Sequence, residues 1–172
     1  MVQILLGHQQ VDVNHIDNVG KTPLDRAVQE GHAGVVQILL ADPRVQMKLS
    51  KTEAGNTPLH RAAERGDATV LQLLLADHRV DVNCSNSDGL TPLHVAACQG
   101  HTEVLQLLLA DRRLEVNSSD RRGCTPLYGA AHLGHSKVVR LLLADRRVDL
   151  NDLTALGRAV DQSHIEVASL EQ

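Results

Sequence analysis

One heptapeptide governs how this chain can fold. Thr57-Pro58-Leu59-His60-Arg61-Ala62-Ala63 returns as Thr91-Pro92-Leu93-His94-Val95-Ala96-Ala97 and again as Thr125-Pro126-Leu127-Tyr128-Gly129-Ala130-Ala131, each time after 34 residues. An earlier copy, Thr22-Pro23-Leu24-Asp25-Arg26-Ala27-Val28, lies 35 residues before the Thr57 copy, and a degraded one, Thr154 to Val160, begins 29 residues after Thr125. A period of this size marks stacked modules, none of which can bury its apolar face alone. The 172 residues therefore read as one array. Composition agrees, because 42% of the residues are hydrophobic while Tyr128 is the single aromatic among Phe, Trp and Tyr. Aromatic rings supply much of the buried area in ordinary domains, so here Leu, Val and Ala must pack through many small repeated contacts.

Each module reads as two helices and a turn. Thr before Pro is a helix start: the hydroxyl can cap open backbone N–H groups, and proline at the first helical position lacks an N–H that would be unpaired there anyway. The first helix is short and ends near Gly31, Gly66, Gly100 and Gly134, where the chain can reverse. The second helix carries too many apolar positions for a narrow stripe, as in Val104, Leu105, Leu107, Leu108 and Leu109, and must be covered on more than one side. A turn-rich stretch follows, with Gly20, Gly55, Gly89 and Gly123 each two residues before the next Thr.

This pattern resembles the ankyrin repeat, whose period is about 33 residues and whose first helix opens on Thr-Pro-Leu-His. The resemblance implies an all-α solenoid of stacked antiparallel helix pairs with projecting β-turn loops. It also implies a non-catalytic interaction module that grips a protein partner on the face of its first helices and on its loop tips. The array divides into a partial unit at 1–13, units at 14–47, 48–82, 83–116 and 117–150, and a degenerate unit at 151–172. An alternative reading makes it the regulatory or localising segment of a larger enzyme or channel.

The chain departs from the family pattern in three places. Where Gly-Ala usually precedes Asp-Val-Asn, it has Asp42-Pro43-Arg44-Val45, Asp77-His78-Arg79-Val80, Asp111-Arg112-Arg113-Leu114 and Asp145-Arg146-Arg147-Val148, which lengthens the return by one residue. Lys48 stands where the other units have Asn14, Asn83, Asn117 and Asn151, so the loop from Lys48 to Asn56 is expected to be the least regular. Both ends look cut: Met1 to Leu6 match a second helix with no first helix before it, and the last unit lacks its inter-helix glycine, with Ser163 in its place. That last unit is expected to be distorted.

Charge and motifs exclude most chemistry. Seventeen Lys and Arg against 21 Asp and Glu give −4, and each arginine pair (Arg112-Arg113, Arg121-Arg122, Arg146-Arg147) has an adjacent Asp, which reads as a solvated, self-neutralising edge. With almost no rings for base stacking, nucleic acid is not an expected partner. No nucleophile elbow, phosphate-binding glycine loop or HExxH pair occurs, and no catalytic residue, cofactor or small-molecule substrate is expected. Cys98, His101, His132 and His135 could be drawn as four zinc ligands one repeat apart. Packed helices sit about 8–10 Å apart, however, and zinc ligand atoms lie about 2 Å from the metal. Three cysteines in no scaffold spacing, with no leader and no membrane-spanning run, fit an intracellular compartment, cytoplasmic or nuclear.

The binding surface follows from the columns that the framework leaves variable. On the first helices these give Arg26, Glu30, Arg61, Arg65, Val95, Gln99, Tyr128 and Leu133 as partner-binding residues. Val95, Cys98, Tyr128 and Leu133 form an apolar centre flanked by Arg26, Arg61 and Arg65, a mixture common in interfaces. The resemblance further implies that asparagines in an Asp-Val-Asn context, Asn14 and Asn83, can be hydroxylated by a cellular asparaginyl hydroxylase.

Overall fold

The computed structural model describes residues 11–47 and 54–149, and among these residues it holds eight helices in four pairs. They are α1 (Pro23–Gln29) with α2 (Ala33–Leu40), α3 (Pro58–Arg65) with α4 (Ala68–Leu75), α5 (Pro92–Gln99) with α6 (Thr102–Ala110), and α7 (Pro126–His132) with α8 (Ser136–Ala144). No strand occurs among the described residues. The first helices α1, α3, α5 and α7 pack side by side as one layer, and α2, α4, α6 and α8 form the second. Residues 1–10 of the expected partial unit at 1–13, residues 48–53 of the loop from Lys48 to Asn56, and the degenerate unit at 151–172 lie outside the described residues.

The core is the repeat made physical. Leu24, Leu59, Leu93 and Leu127, one from each Thr-Pro-Leu, are all buried between the layers, as are Val70, Leu71 and Leu74 and their counterparts on α6 and α8. Each such leucine contributes about 1.5–3 kcal/mol by leaving water. Ala62, Ala63, Ala96, Ala97 and Ala130 are wholly buried; their small side chains let neighbouring first helices approach closely enough to exclude water without any aromatic filler.

Capping explains why each first helix starts at its threonine. The Thr57 N–H donates to His60 Nδ1 (3.3 Å) and the Thr91 N–H to His94 Nδ1 (3.2 Å). The opposite nitrogen of each ring reaches forward: His60 Nε2 donates to the Leu90 carbonyl at 2.8 Å and His94 Nε2 to the Cys124 carbonyl at 3.0 Å. One imidazole therefore caps its own helix and stitches the next pair to it. Burial holds both rings below the ordinary imidazole pKa, which keeps Nδ1 unprotonated and able to accept.

A second imidazole stitch runs backward. His101 Nε2 donates to the Glu64 carbonyl at 3.0 Å and His135 Nε2 to the Cys98 carbonyl at 2.8 Å. Each ring lies over the glycine that ends the preceding first helix, Gly66 (φ 69°) or Gly100 (φ 74°). A β-carbon at either glycine would stand 2.7 Å from the ring Nδ1. Glycine is needed there twice over, for the left-handed backbone and for the space.

The return after each second helix is an ion-paired clamp. In Asp77-His78-Arg79-Val80 the Val80 N–H bonds the Asp77 carbonyl (3.1 Å), while Arg79 pairs with Asp77 at 2.5 Å. The Arg79 guanidinium then donates to the carbonyls of Leu40, Asp42 and Val45 in the preceding pair. Arg113 does the same to Leu75 and Val80, and Arg147 to Leu109 and Asp111. The extra residue thus closes a turn and presents an arginine to the open carbonyl ends of the previous second helix, where a cation is favoured by the helix dipole. Of the arginine pairs expected to be solvated, only one member is free of this duty in Arg112-Arg113 and Arg146-Arg147.

Candidate functional site

The first-helix layer presents the variable columns along one face. On α1, Arg26 is exposed and pairs with Asp17 at 2.6 Å, and Glu30 is exposed at the helix end. On α3, Glu64 and Arg65 are exposed. On α5, Val95 and Cys98 are half-buried and Gln99 is exposed; on α7, Tyr128 is half-buried and Leu133 is 50% exposed. Because α5 and α7 pack directly against one another, the apolar residues share one end of the face, and the charged residues of α1 and α3 occupy the other.

Arg61 sits differently from its column neighbours. Only 12% of its side chain is exposed, and its Nε lies 3.7 Å from Oδ1 of Asp25, a carboxylate that is 1% exposed. The cause is local. Asp25 replaces the histidine of the later copies and caps Thr22 through Oδ2, accepting from the Thr22 N–H and hydroxyl at 2.8 Å each. Its remaining oxygen has no hydrogen-bond donor, and a buried charge needs a counter-ion. Arg61 supplies it from the next helix.

Two further features shape the apolar end. The Tyr128 and His132 rings stack with centroids 5.9 Å apart and planes 7° apart. Gly129 stands where the other copies have a side chain because Cys98 fills its space: a β-carbon at Gly129 would lie 2.6 Å from Cys98 Sγ. Burial pushes the Cys98 thiol pKa up, which favours the neutral thiol, a small and largely apolar group. Sequence reasoning takes Gly129 as one more variable position; a small residue beside a Cys three positions on in the preceding copy is the signal that could have revealed the pairing.

Two of the four candidate zinc ligands, His101 and His135, and the asparagines Asn14, Asn83 and Asn117 are engaged in the scaffold. Nε2 of His101 and of His135 each bond a carbonyl, and among the described residues no three His, Cys, Asp or Glu side chains are grouped to hold a metal. Asn14, before α1, bridges to the return after α2 by donating to the Arg44 carbonyl (2.7 Å) and accepting from the Gln46 N–H (2.9 Å). Asn83 makes the same two bonds to Arg113 and Glu115, and Asn117 to Arg147 and Asp149. Among the described residues no helix is long and apolar enough to cross a membrane.

Comparison with known proteins agrees with this geometry. A family model of three ankyrin repeat copies matches residues 41–120 and 112–170, and a single ankyrin repeat model matches residues 19–48. The crystal structure of EF0377, an ankyrin repeat protein, is similar with a TM-score of 0.87 at 25% identity, over 97% of this chain and 87% of that one. No curated protein matches the chain. The family models together span residues 19–170, and the chain belongs to the ankyrin-repeat family.

Proposed function

We propose that this chain is a non-catalytic module that holds a protein partner across its first-helix face. Ankyrin repeats are in general protein–protein interaction modules, and the finer reading rests on one observation. Leu133, half exposed at the end of α7, lies on the same two packed helices as Tyr128, Val95 and Gln99, while Arg26, Glu30 and Arg65 stand exposed on α1 and α3. An apolar contact beside mixed charges is the composition of an interface with an anchor and a polar rim. Arg61 serves this face from within, as the counter-ion of Asp25. The same reading places the protein inside the cell, and its array at the unit boundaries given by the repeat.

The test is quantitative co-purification from the native host with wild-type chain and the Leu133→Asp/Arg65→Glu variant. Both positions are exposed, so the fold should persist by circular dichroism while a specific partner is lost. A partner profile identical for the two proteins would overturn the proposal. Hydroxylation at Asn14 and Asn83 belongs to the same reading. Either residue must leave its two bridging bonds to enter an enzyme, and mass spectrometry of natively expressed protein should show added oxygen at Asn83; unmodified peptide alone would remove the idea.

A further inference from the structure

The clamp that joins successive pairs also lays out a second surface. In the Asp-x-Arg returns after α4, α6 and α8 the arginine turns inward to the preceding carbonyls, and in these and the return after α2 the middle residue is left outside. These middle residues are Pro43, His78, Arg112 and Arg146, all exposed. They line one edge of the second-helix layer in chain order, one per pair. Their chemistry changes along the row.

At the α2–α4 end the row borders an open groove of about 590 Å³, walled by Leu40, Ala41, Pro43, Leu73, Ala76 and His78. At the α6–α8 end it is cationic. Arg113 and Arg147 are held by Asp111 and Asp145 at 2.7 Å each, while Arg112 and Arg146 have no ion-pair partner among the described residues. Arg140 and Lys137, exposed on α8, add to them. The corresponding residues of the earlier pairs are Gln37, Gln72 and Gln106 for Arg140, and Gly34, Thr69 and Glu103 for Lys137. Residues 102–149, which include both α6 and α8, hold eight Lys and Arg against six Asp and Glu, in a chain whose net charge is −4. The cationic end is thus a local reversal of the chain's own sign.

We propose that this edge docks an extended segment of another protein that is apolar at one end and acidic at the other. The apolar end fills the groove between α2 and α4, and the acidic end lies along Arg112, Arg140 and Arg146. Adjacent helices are about 10 Å apart, so the row from Pro43 to Arg146 spans about 30 Å, the reach of roughly nine extended residues at about 3.3 Å each. Charge complementarity selects the acidic partner and sets its register. A nucleic acid duplex matches the cations but offers nothing to the groove, and the only aromatic ring, Tyr128, belongs to the other layer.

The experiment measures fluorescence anisotropy of labelled peptides of about twelve residues, long enough for the row, against the full chain. One peptide carries a leucine block followed by a glutamate block, a second alternates the same residues, and a third is all glutamate. The block peptide should bind at least about ten-fold more tightly than either control, and Arg112→Glu/Arg146→Glu should weaken it by a similar factor. Ala76→Glu, which puts a carboxylate in the groove, should weaken the block peptide and leave the all-glutamate peptide unchanged. The Leu133→Asp/Arg65→Glu variant should bind the peptide normally, which separates this surface from the first-helix face. Equal affinity for the three peptides, indifference to the arginine reversal, or tighter binding of a short DNA duplex through the same arginines would overturn the proposal.

Discussion

The junction between the first two helix pairs and the junctions after it do the same job with different chemistry. Between α3–α4 and α5–α6, and between α5–α6 and α7–α8, two imidazoles cross each gap: His60 and His101 at the first, His94 and His135 at the second. Between α1–α2 and α3–α4 there is none among the described residues. Asp25 and Asp67 occupy the two histidine positions, and the gap is crossed by the Asp25–Arg61 ion pair and by Arg79, which reaches three carbonyls. Among the three arginines that clamp preceding carbonyls, the Arg79 side chain is also the least exposed, at 26% against 43% for Arg113 and 39% for Arg147. Where the neutral stitches are missing, the ionic clamp is more deeply seated. One backbone geometry therefore admits either a neutral or a charged bridge, and the choice should be visible in how each junction fails.

The largest effect should come from Arg61→Ala. It leaves the carboxylate of Asp25 buried without its counter-ion, and removing one member of a buried pair costs about 3 kcal/mol; urea unfolding followed by circular dichroism measures it. Asp25→His/Arg61→Val, which recreates the later junctions, should recover most of that loss. A single Arg61→Ala variant as stable as wild type would mean that the first junction does not depend on the pair.

Next in size is Arg79→Ala, expected to cost about 2 kcal/mol through lost charge-assisted hydrogen bonds to three carbonyls. Arg113→Ala should cost less, because its side chain is wetter and reaches two. Equal losses would break the claim that the first junction leans harder on its arginine.

Acid should separate the junctions without mutation. Burial sets the His60 and His94 pKa values below the ordinary 6.5. Above about pH 6.5 both rings are neutral folded or unfolded, and their contribution is complete. As the pH falls below that value the unfolded chain takes up protons first, and stability drops until the lower folded values are passed. Asp77, held below the usual 3.8 by hydrogen bonds from Arg79, keeps its contribution until the pH falls under about 3.8. Hydrogen exchange at pH 5 should show the later junctions loosened more than the first; uniform loss of protection would contradict this.

The smallest effect tests packing at the face. Gly129→Ala should gain helix propensity of up to about 1 kcal/mol yet lose more to the Cys98 contact, whereas in a Cys98→Ala background it should stabilise. The sign change between the two backgrounds, measured by thermal unfolding, is the observation that matters.

How far these features could be read from residues alone depends on whether they are local. Thr before Pro states a helix start, an apolar run of period near 3.6 states a helix buried on several sides, and recurrence every 34 residues states that modules stack; neighbouring residues or exact repetition carry all three. The face of variable first-helix columns was legible for the same reason. The burial of Arg61 was not, since it follows from Asp25, 36 residues earlier, having lost the imidazole's second nitrogen. Nor were the inward arginines: Asp-x-Arg reads as a surface ion pair until the preceding helix end is placed beside it.

The sequence by itself determined the family, the helix pairs and the aliphatic core, because short-range capping and periodic burial are written into each module. Only the tertiary structure decided which arginine of a pair faces a carbonyl and which faces water, which histidine stitches forward and which backward, and why position 129 must be glycine. Those outcomes depend on distances between residues some thirty positions apart, and stacking alone brings such residues together.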